Sequence, residues 1–278
     1  MNEIQSTILS IYKQVSAICD KHGIPFYAIG GTCIGAVRHK GFIPWDDDLD
    51  IAIPIQHFDR FWEVAEAELP EYLRIYTSEN TRRYRYIFGK IHNIYTAFIE
   101  ASEVEYPDAY KGIFVDIMPI SSVPDDETAR ERFFRKIQMY SKLNYVRRFP
   151  YKGMGTAKKK IAWLLMRPLC VFTKPDHFSE KWLNMLRQVP FGNTKLTGYT
   201  WFDQIRKLTF PMKDFQDFVE VPFEDTTIKC PADYHDYLTI QFGDYMELPP
   251  MDQRTAHHTD TIDINKSYLE YRKEKEKR

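Results

Sequence analysis

No stretch of this 278-residue chain approaches the roughly 20 apolar residues that a bilayer-spanning helix needs. The longest candidate, Ile161 to Phe172, is broken by Arg167 and Pro168. Cysteine is scarce: Cys19, Cys33, Cys170 and Cys230 lie far apart with no C-x-x-C pair, which excludes a zinc knuckle and a redox dithiol. The opening residues, Met1 to Val15, are too polar for a secretory signal. A reducing cytoplasm is therefore the expected compartment. An excess of charge is also missing. The formal net charge of -1 argues against a general affinity for nucleic acid or anionic lipid, so no nucleic-acid partner is expected. Neither internal repeats nor a low-complexity linker divide the chain.

What is present suits a globular protein: apolar residues make up 44% of the chain, enough for a substantial core. Ile4, Ile8, Ile11, Val15 and Ile18 recur at helical spacing, and Gly23 and Pro25 end the stripe. Pro25 to Ile29 reads as a short buried strand running into a Gly30-Gly31-Thr32 turn, with a helix from Cys33 to His39. Asp48 to Ile53 alternates acidic and apolar residues and reads as a strand stopped by Pro54. A helix follows over 56–69, then strands near 73–77, 86–91, 97–99 and 113–117. Residues 125–187 turn helical and more basic, 208–230 show strand-and-turn chemistry, and Ala232 to Phe242 reads as a helix capped by Gly243. From Ser267 the tail is mostly Lys, Arg and Glu, expected as a charged helix or a frayed end. This order gives an α/β or α+β fold.

The densest chemistry runs from Gly30 to Ile51, GGTCIGAVRHKGFIPWDDDLDI. Side chains two apart on a strand share a face, so Asp48 and Asp50 project together while Leu49 and Ile51 face the core. Asp46 adds a further carboxylate from the approaching loop. Carboxylates held this close repel one another, and a divalent cation such as Mg²⁺ or Mn²⁺ relieves the repulsion. A solvated acidic turn is the plainer alternative. The glycine pair permits close backbone approach, and the helix after it offers N–H groups to an anion. Arg38, His39 and Lys40 lie between turn and carboxylates, as a phosphate-binding trio or as an exposed helix end. Asp116, between Val115 and Ile117, is the candidate third carboxylate, because an ionised Asp there is costly unless paired or metal-bound. Lys90 and His92 sit on a neighbouring strand, either touching phosphate or on an exposed face. Lys158, Lys159 and Lys160 precede Ile161 to Met166, a basic-then-apolar arrangement suited to a membrane surface, unless Trp163, Leu164 and Leu165 are core residues of a helical lobe.

The glycine pair, the D-x-D element and the later single Asp resemble the nucleotidyltransferase superfamily. The full string resembles the LicD family, which includes phosphocholine transferases and is related to fukutin and fukutin-related protein. The likeness extends to Gly112–Pro119 and to a C-terminal pattern of Val221-Pro222, Tyr234 to Leu238, Phe242-Gly-Asp-Tyr-Met246, Pro249-Pro250 and Arg254 to His257. Phe242 departs from a common Tyr, and residues 125–205 show no clear likeness.

The resemblance implies a nucleotidyltransferase-type mixed sheet flanked by helices, with a catalytic core at 1–124. A mainly helical lobe at 125–205 would serve acceptor recognition, and 206–278 would complete the domain with a charged tail. It implies Asp48, Asp50 and Asp116 as catalytic and metal-binding residues, with Asp46 in support. Gly30, Gly31, Thr32, Arg38, His39 and Lys40 would bind the nucleotide phosphates. The implied reaction is Mg²⁺- or Mn²⁺-dependent transfer of phosphocholine from CDP-choline to a hydroxyl of a cell-surface glycan or its lipid-linked precursor. Alternatives are another CDP-alcohol (ribitol, glycerol or ethanolamine), nucleotidyl transfer, and an inactive glycan-binding relative. A cytoplasmic enzyme, with peripheral contact at the inner membrane face as an open alternative, is the corresponding expectation. Aromatic faces are what a choline headgroup needs, and Trp45, Tyr84, Tyr86, Trp201 and Tyr245 lie near the motifs.

Overall fold

The computed structural model describes residues 1–150, 156–201, 204–256 and 259–277. His257, part of the C-terminal pattern above, and the side chain of Lys159 fall outside the described set.

The apolar stripe near the N-terminus forms α1 (Glu3–His22), opened by a reciprocal cap between Asn2 and Gln5. Gly23 closes it in the left-handed conformation at φ 60°. Then come β1 (Tyr27–Ala28), α2 (Gly30–Ile34) and a π-helical turn over Gly35–His39, followed by β2 (Asp50–Pro54) and α3 (Ile55–Glu68). Four strands follow: β3 (Leu73–Tyr76), β4 (Gly89–Asn93), β5 (Ala97–Glu100) and β6 (Phe114–Val123). The basic middle of the chain gives α4 (Glu127–Arg148), α5 (Ala157–Met166) and α6 (His177–Arg187). The remainder is β7 (Leu196–Tyr199), β8 (Thr209–Pro211), the hairpin β9 (Phe218–Phe223) and β10 (Thr226–Pro231), α7 (Tyr234–Phe242), β11 (Thr259–Asp263) and α8 (Tyr268–Glu276).

The main sheet runs β1-β2-β6-β4-β3, with β7 pairing the far half of β6 and β8 pairing β7. Only β2 and β6 are parallel among these pairs, so the sheet is mixed and the fold is α+β. β6 is longer than the expected 113–117 because all ten of its residues are buried, as in a strand covered on both faces. The residues at 84–88 stay irregular and β4 begins only at Gly89. The charged tail is a helix, not a frayed end: Ser267 caps α8, and Tyr268 anchors it in a small cluster with Ala97, Ile99 and Tyr110.

The helices of the middle segment share the sheet's core. Phe133 and Ile137 of α4 and Trp182 and Leu186 of α6 are buried in the same cluster as Ile8, Ile51 and Ile117. α5 differs. Trp163 and Met166 turn inward against Leu143 and Cys170, but Leu164 and Leu165 are exposed and form no part of a core.

Candidate active site

Register decides which side chains meet. Asp116 in β6 stands opposite Asp50 in parallel β2 and opposite Lys90 in antiparallel β4. Partners across a ladder share a face, so both carboxylates and the ammonium lie on one side of the sheet. Asp48, just before β2, joins them in the wall of the same pocket as Asp116. The expected strand at Asp48 starts two residues later, at Asp50, and the approach to it is held by side chains from elsewhere. The buried Gln5 amide donates to the carbonyls of Ile43 and Asp46 at 3.1 and 3.0 Å. Thr32 Oγ1 accepts from the Asp50 backbone N–H at 2.8 Å, and Asp116 N–H donates to Leu49 O at 2.9 Å.

Asp116 is fully buried, not a solvent-facing strand end, and Lys90 is 2% exposed. Their ion pair spans 3.0 Å from Nζ to Oδ1, with a hydrogen bond of 3.1 Å to Oδ2. The exposed face expected as one alternative for Lys90 and His92 is thereby corrected. Both are buried, and His92 Nδ1 lies 2.7 Å from Gly112 O. Burial works against the Lys90 ammonium, but Asp116 beside it prevails and holds its pKa above the ordinary value. Burial raises Asp116 to about 6 despite Lys90. Asp50 is driven well above the carboxylate range by burial first, then by Asp48 and Asp116. Its Oδ1 is buried with no hydrogen-bond partner. Three mutually repelling carboxylates, two of them (Asp50 and Asp116) with a buried Oδ1 that makes no hydrogen bond, match the oxygen-donor chemistry of a hard divalent cation.

Gly30 and Gly31 are the first residues of α2, not a turn ahead of a helix from Cys33. Gly30 has φ +56° and sits beside Asp50, and a Cβ on Gly31 would lie 3.0 Å from Asp46 Oδ2. A side chain at Gly31 would therefore crowd Asp46, and one at Gly30 would be strained by its backbone conformation. Gly30 N–H donates to Tyr237 Oη at 2.8 Å, Tyr237 Oη lies 3.0 Å from Tyr199 Oη, and Tyr199 Oη donates to Gln241 at 2.9 Å. This chain fastens α7 to the glycine pair. It was not legible beforehand, because nothing in the sequence marks residues 200 positions apart as neighbours.

Arg38 engages the C-terminal segment, donating to Tyr245 O at 2.5 Å and Glu247 O at 3.2 Å. Its Nε also donates to His39 Nε2 at 3.0 Å. Burial and then Arg38 lower the His39 pKa, keeping the ring neutral. Lys40 ends the helical segment in the left-handed conformation at φ 58°.

Two pockets meet at Asp48 and Trp201. One, of about 420 Å³, is walled by Tyr86, Phe98, Phe114 and Trp201 with Glu100, and opens on Asp116. The other, of about 300 Å³, is bounded by Gly30, Gly31, Asp50, Tyr199 and Gln241. Of the aromatics noted in the sequence, Tyr86 and Trp201 converge on the first pocket with ring centroids 5.9 Å apart. Trp45 instead packs beneath Arg254, and Tyr245 against His235. Phe98, Phe114 and Glu100 had no signal of their own in the sequence.

A second acidic cluster also escaped sequence reading. Asp214, Asp233 and Asp236 place carboxylate oxygens within 4.8 Å of one another at the start of α7. Lys213 Nζ lies 2.9 Å from Asp236 and 3.8 Å from Asp214.

The paired carboxylates of the sheet face thus stand at the junction of two pockets. The sequence profile of the LicD/FKTN/FKRP nucleotidyltransferase domain matches residues 23–161, half the chain, including all the carboxylates above except the cluster before α7. The chain belongs to this family, and it is an enzyme of the phosphotransferase class. It is 29% identical over 273 residues to the lipopolysaccharide cholinephosphotransferase LicD of Haemophilus influenzae, covering 93% of this chain and 96% of that one. An uncharacterised protein of Rickettsia prowazekii is 30% identical over 141 residues, 49% of this chain and 46% of its own. Another from Rickettsia typhi is 48% identical over 48 residues, 16% of each.

Proposed function

We propose that the chain transfers phosphocholine from CDP-choline to a hydroxyl of a lipopolysaccharide-type glycan or its lipid-linked precursor. The observation that carries this is the aromatic pocket opening on Asp48 and Asp116. A quaternary ammonium donates no hydrogen bond and is held by ring faces, each contributing about 0.5–2 kcal/mol. Tyr86, Phe98, Phe114 and Trp201 supply such faces, and Glu100 supplies a carboxylate. Phe114 already holds the Lys90 ammonium 3.4 Å from its centroid, so the headgroup reading rests chiefly on Tyr86, Phe98 and Trp201. The Haemophilus relative's activity points to the same headgroup.

In this reading the headgroup fills the aromatic pocket and the nucleotide lies toward Gly30 and Gly31, with the diphosphate crossing at Asp48. Asp48, Asp50 and Asp116 would hold Mg²⁺ or Mn²⁺, supported by Asp46. When bound, the ion supplies charge neutralisation for the diphosphate and the departing nucleotide monophosphate. Lys90 fixes the Asp116 carboxylate through the buried ion pair. Asp116 or a neighbouring carboxylate would accept the acceptor's hydroxyl proton. Arg38 and Lys40 retain charge neutralisation at the nucleotide as a proposed role, alongside the structural contacts of Arg38, and His39 retains phosphate binding as a neutral ring. The reaction would run in the cytoplasm. Among the described residues no helix is long and apolar enough to cross a membrane, and the four cysteines are free and buried.

The test is a thermal-shift panel with Mg²⁺ and CDP-choline, CDP-ethanolamine, CDP-ribitol, CDP-glycerol, CMP and nucleoside triphosphates. Stabilisation by CDP-choline beyond that by CMP, lost in Trp201→Ala, is the expected result. A larger response to CDP-ribitol or CDP-glycerol would reassign the headgroup, and a selective response to CTP or ATP would replace the reading with nucleotidyl transfer.

A further inference from the structure

Between residues 132 and 175 the chain carries twelve Lys and Arg and no Asp or Glu, although its formal net charge is only -1. Inside that basic segment α5 splits into two faces. Trp163 points inward, donating from Nε1 to Phe149 O at 3.0 Å, and Met166 packs with it beside the buried Cys170. The outward face is apolar: Ile161, Leu164 and Leu165 on the helix, then Leu169 and Phe172 after it. Leu165 is 74% exposed and Phe172 is 98% exposed. Lys158 and Lys174 flank this stripe and are exposed.

We infer that this face docks on an anionic lipid surface, with Phe172 and Leu165 entering the headgroup boundary and the flanking lysines meeting the lipid charge. A contiguous apolar stripe left in water is costly, and monomeric proteins rarely leave one without a partner. An exposed apolar face flanked by Lys158 and Lys174 within a basic segment matches an interfacial helix. The face also has a connection to the site. Phe149, whose carbonyl Trp163 holds, lines with Tyr145 a pocket of about 340 Å³ that shares Arg85 and Tyr86 with the aromatic pocket. Through Trp163 the docked helix is thus tied to the wall of the pocket system that opens on Asp116. The docking surface itself does not depend on which headgroup is transferred.

Flotation of the full chain with phosphatidylcholine vesicles, with and without phosphatidylglycerol, tests this. At low salt the wild type should float with the anionic vesicles and remain behind with neutral ones. The double variant Leu165→Gln/Phe172→Gln alters only exposed positions. It should keep its melting temperature and its thermal-shift response to CMP or CDP-choline, and lose at least about tenfold in vesicle affinity. Lys158→Glu/Lys174→Glu should lose several-fold, as should added salt. Three results would overturn the inference: no flotation of the wild type with anionic vesicles at low salt, equal flotation of the Leu165→Gln/Phe172→Gln variant, or a wild-type dimer in sedimentation that this variant converts to monomer. The last would assign the face to a second copy of the chain. Because vesicle binding is read without turnover, a failure here leaves the donor reading intact, and a failed donor panel leaves the docking surface intact.

Discussion

The molecule contains two clusters of three carboxylates, and their surroundings differ. Asp48, Asp50 and Asp116 converge on the inner face of a sheet, where Lys90 is buried with them and Asp50 Oδ1 has no hydrogen bond. Asp214, Asp233 and Asp236 gather at the start of α7, with Lys213 lying over them in solvent. There the carboxylates have structural work: Asp233 caps α7 by accepting from Asp236 N–H, where the helix dipole favours negative charge. Proximity of acids is thus a poor guide to function. Both clusters hold a buried carboxylate oxygen without a hydrogen bond, on Asp50 and on Asp214, so what marks the first is the buried Lys90 ammonium beside it and adjoining space large enough for a substrate.

The sharpest way to break this comparison is to neutralise one member of each cluster. Asp50→Asn should reduce turnover by at least about 10³-fold, the scale of losing a preorganised electrostatic group. Asp236→Asn should leave turnover nearly unchanged. Folding is not the confounder. The Asp50 pKa is raised in the folded state, so its ionisation costs stability as pH rises, and a permanently neutral Asn should melt no lower than wild type at neutral pH. Asp116→Asn is a less clean probe, since it strands the buried Lys90 ammonium. Equal activity of Asp50→Asn in a metal-dependent assay would dismiss the sheet-face cluster as the reaction centre.

The two lysines extend the contrast. Lys90→Met removes the sole charge partner that Asp116 has among its hydrogen-bonded neighbours and should cost about 3 kcal/mol in chemical denaturation, the usual penalty for breaking a buried pair. Lys90→Met/Asp116→Asn should recover much of that stability without recovering activity. Lys213→Met, at an exposed and solvent-screened side chain, should leave stability nearly unchanged. Comparable losses for the two lysines would mean that burial is not what distinguishes the clusters.

Much of this difference was legible in the sequence at one cluster and not at the other. Strand alternation placed Asp48 and Asp50 on one face, and the cost of an ionised Asp between Val115 and Ile117 marked Asp116 as paired or metal-bound. The partner that answers that cost, Lys90, was on the right strand but could not be assigned. Cross-strand register is a tertiary fact, and a shift of one residue would have turned the lysine away. The helix boundary at Gly30 was misplaced for a related reason. Two glycines read as a turn by propensity, whereas Tyr237 and the carboxylates hold them at the head of a helix. The aromatic pocket draws rings from β5, β6, the loop at 86 and the segment at 201, which no local pattern could gather. The exposed face of α5 was half legible: its charges and apolar residues were evident, but which leucines faced solvent required the packing of Trp163.

Trp201 offers a test of the pocket that the α7 cluster lacks. It borders both pockets, so Trp201→Ala should raise KM for CDP-choline about tenfold, the worth of one or two ring faces against a quaternary ammonium. The change for CMP binding should be smaller. Steady-state kinetics against CMP competition separates the two terms. Equal losses for CMP and CDP-choline would show that the ring reads the nucleotide and not the headgroup.

At Asp214 the expected effect is modest, and its pH dependence carries the information. The side chain is fully buried, its oxygens make no hydrogen bonds, and burial first, then Asp236, raise its pKa to about 6. The sign follows from proton linkage. The folded state holds the proton more tightly than the unfolded chain, whose carboxyl titrates near 3.8. Folding therefore loses stability as pH climbs through that interval, and the full cost is present above about pH 6. Asp214→Asn removes the titration, so it should melt a few degrees above wild type at pH 7.5, a gain of order 1 kcal/mol. The advantage should shrink or vanish at pH 4.5, below the folded-state value, where wild-type Asp214 is largely protonated. Lys213 opposes the effect by favouring the charged form, which is why the gain is set below that of an isolated buried acid. Thermal melts of both proteins at the two pH values decide it. A variant less stable at pH 7.5 than at pH 4.5, relative to wild type, would mean that Asp214 is ionised and well paired in the folded state, and that the second cluster is more like the first than its geometry implies.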